Sequence, residues 1–396
     1  MYRKFKASHL FDGARFVAGH PILITDLEGT VVAITNEGVA GADVEMLQGI
    51  LCPGFINAHC HLELSHLENI IPAGTGLVPF VQAVMAKREA SPSVKLAAME
   101  KADENMRASG IVAVGDICNT ADSIAVKEQS ILHWLNFIEV SCFVDATAAK
   151  RLAEVQLVQQ AFTAAFPTGI HLIAPHAPYS VGAALFSLIN KLPNNNFISI
   201  HNQETAAENE WYQNKTGNFQ TLYHNLGIGT DHFKPSGKTS VQTWRPFFDK
   251  GQQIMAVHNS FTSEEDMYFL KNWQIKHPQN KPLVFCICAK ANMFIENTIP
   301  PIAMLMEHNA TLVVGTDSLA SNTALNILAE LKTISAAFPE IPLATLLNWA
   351  TLNGATALNI ADDYGSFVIG KKPGIVLIEN TSAEKLGAQA TSRRFL

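Results

Sequence analysis

The feature that most constrains this chain is a set of eight short apolar segments, several ending in histidine or aspartate. They span 52–61, 111–118, 134–143, 170–178, 197–203, 253–260, 282–289 and 310–317. Each is rich in Val, Ile and Phe and apolar nearly throughout, as a strand buried on both faces should be. Longer amphipathic runs lie between them, among them 78–90, 94–108, 150–166 and 323–338, and a helical stretch at 343–358 closes the series. Eight strands alternating with helices predict an α/β fold, a parallel (β/α)8 TIM barrel. A doubly wound open sheet is the alternative. Its dinucleotide-binding form is disfavoured because no G-x-G-x-x-G follows a first strand.

The two ends read differently. Residues 1–50 hold short alternating segments around a Glu-Gly turn, and 365–380 look the same, punctuated by Gly and Pro. The expectation is a small β-sandwich-like domain built from both termini, 1–52 and 360–396, with the barrel at 53–359 inserted between them. Residues 209–246 are polar, rich in Trp, Asn and Gly, and longer than an ordinary connection, which predicts part of a lid over the site. Trp211, Trp244 and Trp273 are dispersed and read as core or lid packing rather than a stacking platform.

Composition removes several function classes. An apolar share of 48% with 16% charged residues excludes a disordered chain. A net charge of −7 without a basic run argues against nucleic acid or an anionic membrane as a partner. The N-terminus carries positive charges with no apolar core behind them, unlike a signal peptide. No run reaches the ~18–20 apolar residues of a membrane span. The six cysteines fit no disulfide scaffold, so a cytoplasmic setting is expected.

The chemistry sits at strand ends. His59-Cys60-His61 ends the first strand, where residues i and i+2 share a face. His201 ends ISIH, His258 ends MAVH and Asp317 ends VVGTD. Barrel enzymes place their chemistry at that C-terminal edge. Four histidines and an aspartate from four strands make a ligand set for zinc or iron with a position open for water. Glu204 follows His201 by three residues, within reach of a metal site, where a carboxylate can move a proton. Glu208 and Glu210 read as solvated acids near a helix start. Two patterns are set aside. His61-Leu62-Glu63 lacks the later P-C-x-x-C of cytidine-type deaminases, and Cys286 and Cys288 read as buried strand thiols.

PGFINAHCHLELSHL, HAPYS, HNQET, VHNS and GTDSLASN, in that order, resemble the successive motifs of the amidohydrolase superfamily. They are most similar to its metal-dependent deaminases and chlorohydrolases of nitrogen heterocycles. The resemblance implies one divalent metal, zinc or alternatively iron, held by His59, His61, His201 and Asp317. It implies proton handling by Glu204 and His258, a double role for Asp317, and substrate contact by His176. Dinuclear relatives carry a lysine or glutamate late in the fourth strand; HLIAPHAPYS has neither. CAKANMFIEN departs from the family's C-P-x-S-N-x-x-L but keeps Asn292. HLELSHL, GTGLVPFVQAVMAKRE, GDICNT and FIEV are similar to aminodeoxyfutalosine deaminases. Glu63, Ser65, Asn119 and Glu139 are candidates to line the pocket, although a paired structural role fits Glu139 equally well. The implied activity is hydrolytic deamination of a small-molecule nitrogen heterocycle, purine-nucleoside-like, with release of ammonia, by an enzyme that the resemblance implies is a homodimer. The alternatives are another leaving group, a cyclic amide, or a catalytically silent scaffold, which the intact ligand set disfavours.

Overall fold

The computed structural model describes all 396 residues. Strands β1 (Phe55–Cys60), β2 (Ile111–Cys118), β3 (His133–Val140) and β4 (Ile170–Pro175) form a parallel sheet in the order β4-β3-β2-β1. Strands β5 (Phe197–Asn202), β6 (Gln253–His258), β7 (Val284–Ile287) and β8 (Thr311–Val314) form a second, in the order β5-β6-β7-β8. Each order follows the chain, as successive right-handed βα units require. A doubly wound sheet would reverse at a switch point.

The two sheets are hydrogen-bonded at both seams. The His201 N–H donates to the His176 carbonyl at 3.0 Å, joining β5 to the residue after β4. The N–H groups of Thr316 and Asp317 donate to the His59 carbonyl at 3.0 and 3.1 Å, joining the end of β8 to β1. The chemistry-bearing strand ends are therefore neighbours in space.

Period-2 alternation explains the continuous apolar runs. Ile254 and Ala256 of β6 belong to a large core under the helices, whereas Met255 and Val257 belong to a second core on the opposite face. Phe285 and Ile287 divide from Val284 and Cys286 of β7 in the same way. Both faces are covered, so neither needs polar residues.

One expected strand is in fact two. Residues 52–61 break at Gly54: Ile50–Pro53 pairs antiparallel with Ile375–Glu379, and β1 starts at Phe55. A Cβ on Gly54 would lie 2.3 Å from Val112 Cγ1 and 2.7 Å from the Pro373 carbonyl oxygen, so only glycine allows this close crossing. The helix expected at 343–358 contains a π-type turn at Trp349–Asn353.

The terminal segments pair as their alternation suggests. Ile22–Asp26 lies between Tyr2–Lys6 and Val31–Thr35, antiparallel to both. Its connection is the expected Glu-Gly turn, in which Asp26 Oδ1 accepts the N–H groups of Glu28 and Thr30 and Gly29 takes a φ of 91°. A second sheet joins His9–Leu10, Ile50–Pro53, Ile375–Glu379 and Thr391–Arg394. No helix is long and apolar enough to cross a membrane.

A buried ion pair supports the first strand end. Lys127 Nζ lies 2.6 Å from Asp116 Oδ2, both side chains fully buried, and also donates to Asn136 Oδ1 at 2.7 Å. Asp116 Oδ1 accepts the N–H of Leu62, the residue after His61, at 2.8 Å. Removing the cation would strand a buried carboxylate under the His61 turn. Lys127→Met is expected to lower unfolding free energy by about 3–5 kcal/mol, read as a lower urea midpoint at unchanged slope. A loss under about 1 kcal/mol would show that this pair supports little.

Candidate metal centre and active site

Four side chains expected to act together do meet. His61 Nε2 lies 3.1 Å from His59 Nε2 and 3.2 Å from His201 Nε2. Asp317 Oδ1 lies 3.4 Å from His61 Nε2 and 3.6 Å from His59 Nε2. All four residues are buried.

Local structure aims each one. His201 Nδ1 donates to the His176 carbonyl at 2.7 Å, which leaves a bare lone pair on Nε2. Asp317 adopts a left-handed φ of 57°, and its Oδ2 accepts the Ser321 hydroxyl. Asn57 braces the same turn, donating to Thr316 Oγ1 at 2.8 Å and accepting the Thr316 N–H at 3.0 Å. A Cβ on Gly315 would lie 2.8 Å from His59 Cβ and 2.9 Å from Cys286 Sγ, so glycine lets β8 approach the first ligand strand.

The donor set fits a divalent cation. Burial lowers the pKa of His59, His61 and, most strongly, His201, which favours the neutral form that binds metal. Burial works against ionisation of Asp317, but the surrounding imidazoles outweigh it and hold the carboxyl well below the usual range. Nitrogens bonded at ~2.0–2.1 Å in near-tetrahedral geometry stand roughly 3.1–3.4 Å apart, which matches the spacings here. Three imidazoles with one carboxylate suit zinc or iron.

A second pair stands beside this set. His258 Nε2 lies 3.5 Å from Glu204 Oε1, and its ring stacks on His201 with centroids 5.4 Å apart. On its far side, His258 Nδ1 faces Asn292 Oδ1 at 3.3 Å, while Asn292 Nδ2 donates to the Ser260 hydroxyl. That amide orientation puts the ring proton on Nδ1 and turns a lone pair on Nε2 toward Glu204. Burial raises the Glu204 carboxyl well above its ordinary value, and Asp317 adds to the rise, so the site favours the protonated form of Glu204. Gln203 and His258 sit at φ values of 47° and 75°. Such left-handed backbone at non-glycine residues is costly and concentrates at working sites.

Gln203 ties the two strand-end turns together. Its N–H donates to Glu208 Oε1 at 2.9 Å, its Nε2 donates to Asp266 Oδ2 at 2.8 Å, and its Oε1 accepts the Thr262 hydroxyl at 2.8 Å. Asp266 also accepts from Thr239 and Gln242, so residues 209–246 are bonded to the Glu204 turn. That segment holds the helices Asn218–Asn225 and Ser240–Trp244 and the end of Ala206–Asn214. Trp211 and Trp244 are fully buried, as packing residues should be.

A cavity of about 590 Å³ opens onto His61, His176, His201, Glu204, His258 and Asp317, within the ordinary range of ~300–1,000 Å³ for small-molecule sites. Much of its wall was not legible in the sequence. Phe80, Val81 and Val84 come from helix Leu77–Lys87, and Leu222 and Tyr223 from helix Asn218–Asn225. Arg88 and Arg151 add the two arginines of the lining. Short apolar helix faces look the same whether they meet core or ligand.

His176, Glu139 and Asn119 line the cavity. Glu63 and Ser65, expected to face substrate, do not. They lie in a 3-10 turn, Leu62–Leu67, that rotates both away. The Glu63 carboxylate accepts the N–H groups of Asn119 and Thr120 at 3.1 Å each, and the Ser65 hydroxyl donates to the Leu62 carbonyl at 2.7 Å. Glu208 also departs from expectation: it is fully buried, whereas Glu210 is exposed. Its carboxylate is drawn inward by the Gln203 N–H.

The model of the Amidohydrolase family matches residues 50–392, and the chain belongs to that family. Among curated proteins it is 28% identical over 320 residues to an adenosine deaminase of Helicobacter pylori, covering 78% of this chain and 74% of that one. It is 24% identical over 373 residues to a 5'-deoxyadenosine deaminase of Methanosphaera stadtmanae, covering 90% and 80%. Among solved structures, the fold is similar to Helicobacter pylori aminofutalosine deaminase, with a TM-score of 0.80, 21% identity, and coverage of 100% and 98%. It is also similar to a Xanthomonas campestris adenosine deaminase with bound zinc, with a TM-score of 0.73, 20% identity, and coverage of 98% and 86%.

Glu208 offers a test of the buried network. Burial raises its carboxyl from an ordinary 4.5 to about 7. Between those values the unfolded chain releases a proton that the folded chain keeps, so stability falls as pH rises through that window and levels off above it. Glu208→Gln retains an acceptor for the Gln203 N–H and removes the titration. Relative to wild type, it is expected to gain on the order of 1–3 kcal/mol between pH 5 and 7.5 in denaturant titrations. Parallel stability curves for the two proteins would contradict the burial of an ionisable Glu208.

Proposed function

We propose that this chain is a metal-dependent hydrolase that deaminates the heterocycle of a nucleoside-like substrate and releases ammonia. The observation that carries the reading is Glu204, a buried acid whose surroundings favour its protonated form, standing 3.5 Å from His258 Nε2 beside four convergent side chains able to hold a metal. The adenosine and 5'-deoxyadenosine deaminases among its relatives support the same reaction class. The cavity would leave a bare purine surrounded by unfilled space, which favours a nucleoside with a further substituent. Aminodeoxyfutalosine is the substrate we favour, from the motifs of the first half of the chain. Adenosine and S-adenosylhomocysteine follow.

The reaction adds water to a ring carbon, breaks its bond to the amino nitrogen and leaves a carbonyl. His59, His61, His201 and Asp317 would hold one divalent cation, zinc in our reading and iron as the alternative. When bound, it supplies the Lewis-acid charge that makes water nucleophilic near neutral pH. Glu204 gives its proton to the ring nitrogen beside the carbon under attack, which makes that carbon more electrophilic. His258, with its lone pair turned inward, takes the proton that the attacking water loses. Asp317 orients that water by accepting a hydrogen bond. As the adduct collapses to the carbonyl, its hydroxyl proton and the proton on His258 are divided: one protonates the departing amine, from His258 or Glu204, and the other leaves Glu204 in its acid form. His176 and Glu139 hold the heterocycle from the β3 and β4 side.

We also read the two parallel sheets as one closed barrel over residues 53–359, supported by the hydrogen bonds at both seams. The terminal sheets would form the discontinuous small domain, 1–52 and 360–396. We read the protein as a homodimer, from the family resemblance, in the cytoplasm, from its six free cysteines.

Glu204→Gln is expected to retain its metal and lose at least ~10²-fold in turnover, measured as ammonia released alongside elemental analysis. Near-normal turnover would remove Glu204 from the mechanism. His258→Ala is expected to lose turnover with metal content unchanged. A parallel loss of metal would make His258 a ligand instead.

A further inference from the structure

We propose that Glu63 and Asn119 form a clamp that turns one oxygen of Glu139 toward the substrate's amino group. Glu139 thereby distinguishes an amine from leaving groups that lack an N–H. This inference rests on the proposed deamination and adds to it the group that recognises the leaving nitrogen.

Glu139 is the one acid of an otherwise apolar strand end, FIEV, and is only 8% exposed. One of its oxygens, Oε1, accepts Asn119 Nδ2 at 2.7 Å. The other, Oε2, is buried without a hydrogen-bond partner. An unpaired carboxylate oxygen is costly to bury, so Oε2 needs a donor from a water, an ion or a ligand. Glu139 lines the cavity, and one of its carboxylate oxygens lies within 4.8 Å of a ring nitrogen of His176 and one of His201. That places the carboxylate beside the reacting end of the cavity.

The clamp fixes which oxygen is free. A carboxylate only accepts, so Asn119 must present its NH₂ group to Glu139. The Asn119 backbone is held in turn, because Glu63 accepts its N–H and that of Thr120. Glu63 is itself buried in the turn that follows His61. Residues from the β1 and β2 turns thus set the orientation of an acid on β3.

The chemistry of the partner follows. Oε2 needs an N–H or O–H donor. On an adenine-like ring the exocyclic amine is the N–H donor, since the ring nitrogens accept. Glu139 is therefore a substrate-reading residue, and Asn119 and Glu63 are positioning residues.

The clamp makes a directional claim. In Glu139→Gln, the Asn119 NH₂ must take the Gln carbonyl oxygen, which turns the Gln NH₂ toward the substrate amine, donor against donor. The ratio of kcat/KM for adenosine over 6-chloropurine riboside is expected to fall about tenfold or more. Asn119→Asp combined with Glu139→Gln reverses the pairing: the Asp accepts the Gln NH₂, and the Gln oxygen again faces the amine. The double variant is expected to recover most of the ratio. Glu63→Gln and Asn119→Ala should each lower it less, and together should not add. Equal ratios in wild type and Glu139→Gln, or no recovery in the swapped pair, would overturn the clamp. If wild-type protein releases ammonia from neither adenosine nor the other amino-nucleosides, the proposed reaction fails. The clamp is then still decided by the equilibrium binding ratio of adenosine to purine riboside in the same variants.

Discussion

Everything at this site depends on bringing three neutral imidazole nitrogens and a carboxylate within bonding reach of one point. Imidazoles charged at that spacing would repel one another, and a carboxylate alone there would pay heavily for burial. The fold removes both difficulties. Burial keeps the rings neutral, and the His176 carbonyl fixes the tautomer of His201. The seams between the sheets hold the strand ends side by side before any ligand arrives. Gly315, Asn57 and Ser321 refine the approach of Asp317. The backbone at His258 and Asp317 is left-handed, so the geometry is imposed by the fold rather than relaxed into.

The acids near this point act differently because their surroundings differ. Asp317 is ionised among imidazoles, whereas Glu204, on another turn, is pushed toward its protonated form. Carboxylic acids divided in this way can serve as ligand and proton donor at the same pH. Below them, Gln203 and Asp266 bond the Glu204 turn to Thr239 and Gln242 at helix Ser240–Trp244.

The ligand residues were legible because each ends an apolar run at the edge where a barrel does its chemistry. Period 2 placed His59 and His61 on one side, and His201, His258 and Asp317 closed three further strands in the same way. Spacing alone could not show what happens beyond a strand. Glu63 and Ser65 seemed equally well placed, but a 3-10 turn aims them at backbone groups. Glu208 looked like a solvated acid until the Gln203 N–H was seen to hold it inside. Phe80 and Leu222 belong to helices far apart in the chain, and nothing local tells a residue that faces a cavity from one that faces a core. The break at Gly54 was hidden because both of its flanks are apolar.

The most direct test of the account is ammonia release by the purified protein, loaded with zinc and separately with iron. The panel would be aminodeoxyfutalosine, adenosine, 5'-deoxyadenosine, S-adenosylhomocysteine, guanine, cytosine and aminotriazines. The account expects one ammonia per substrate consumed, from an amino-nucleoside rather than a bare base. Silence across the panel from protein shown to carry its metal would contradict deamination and point to another leaving group or a cyclic amide.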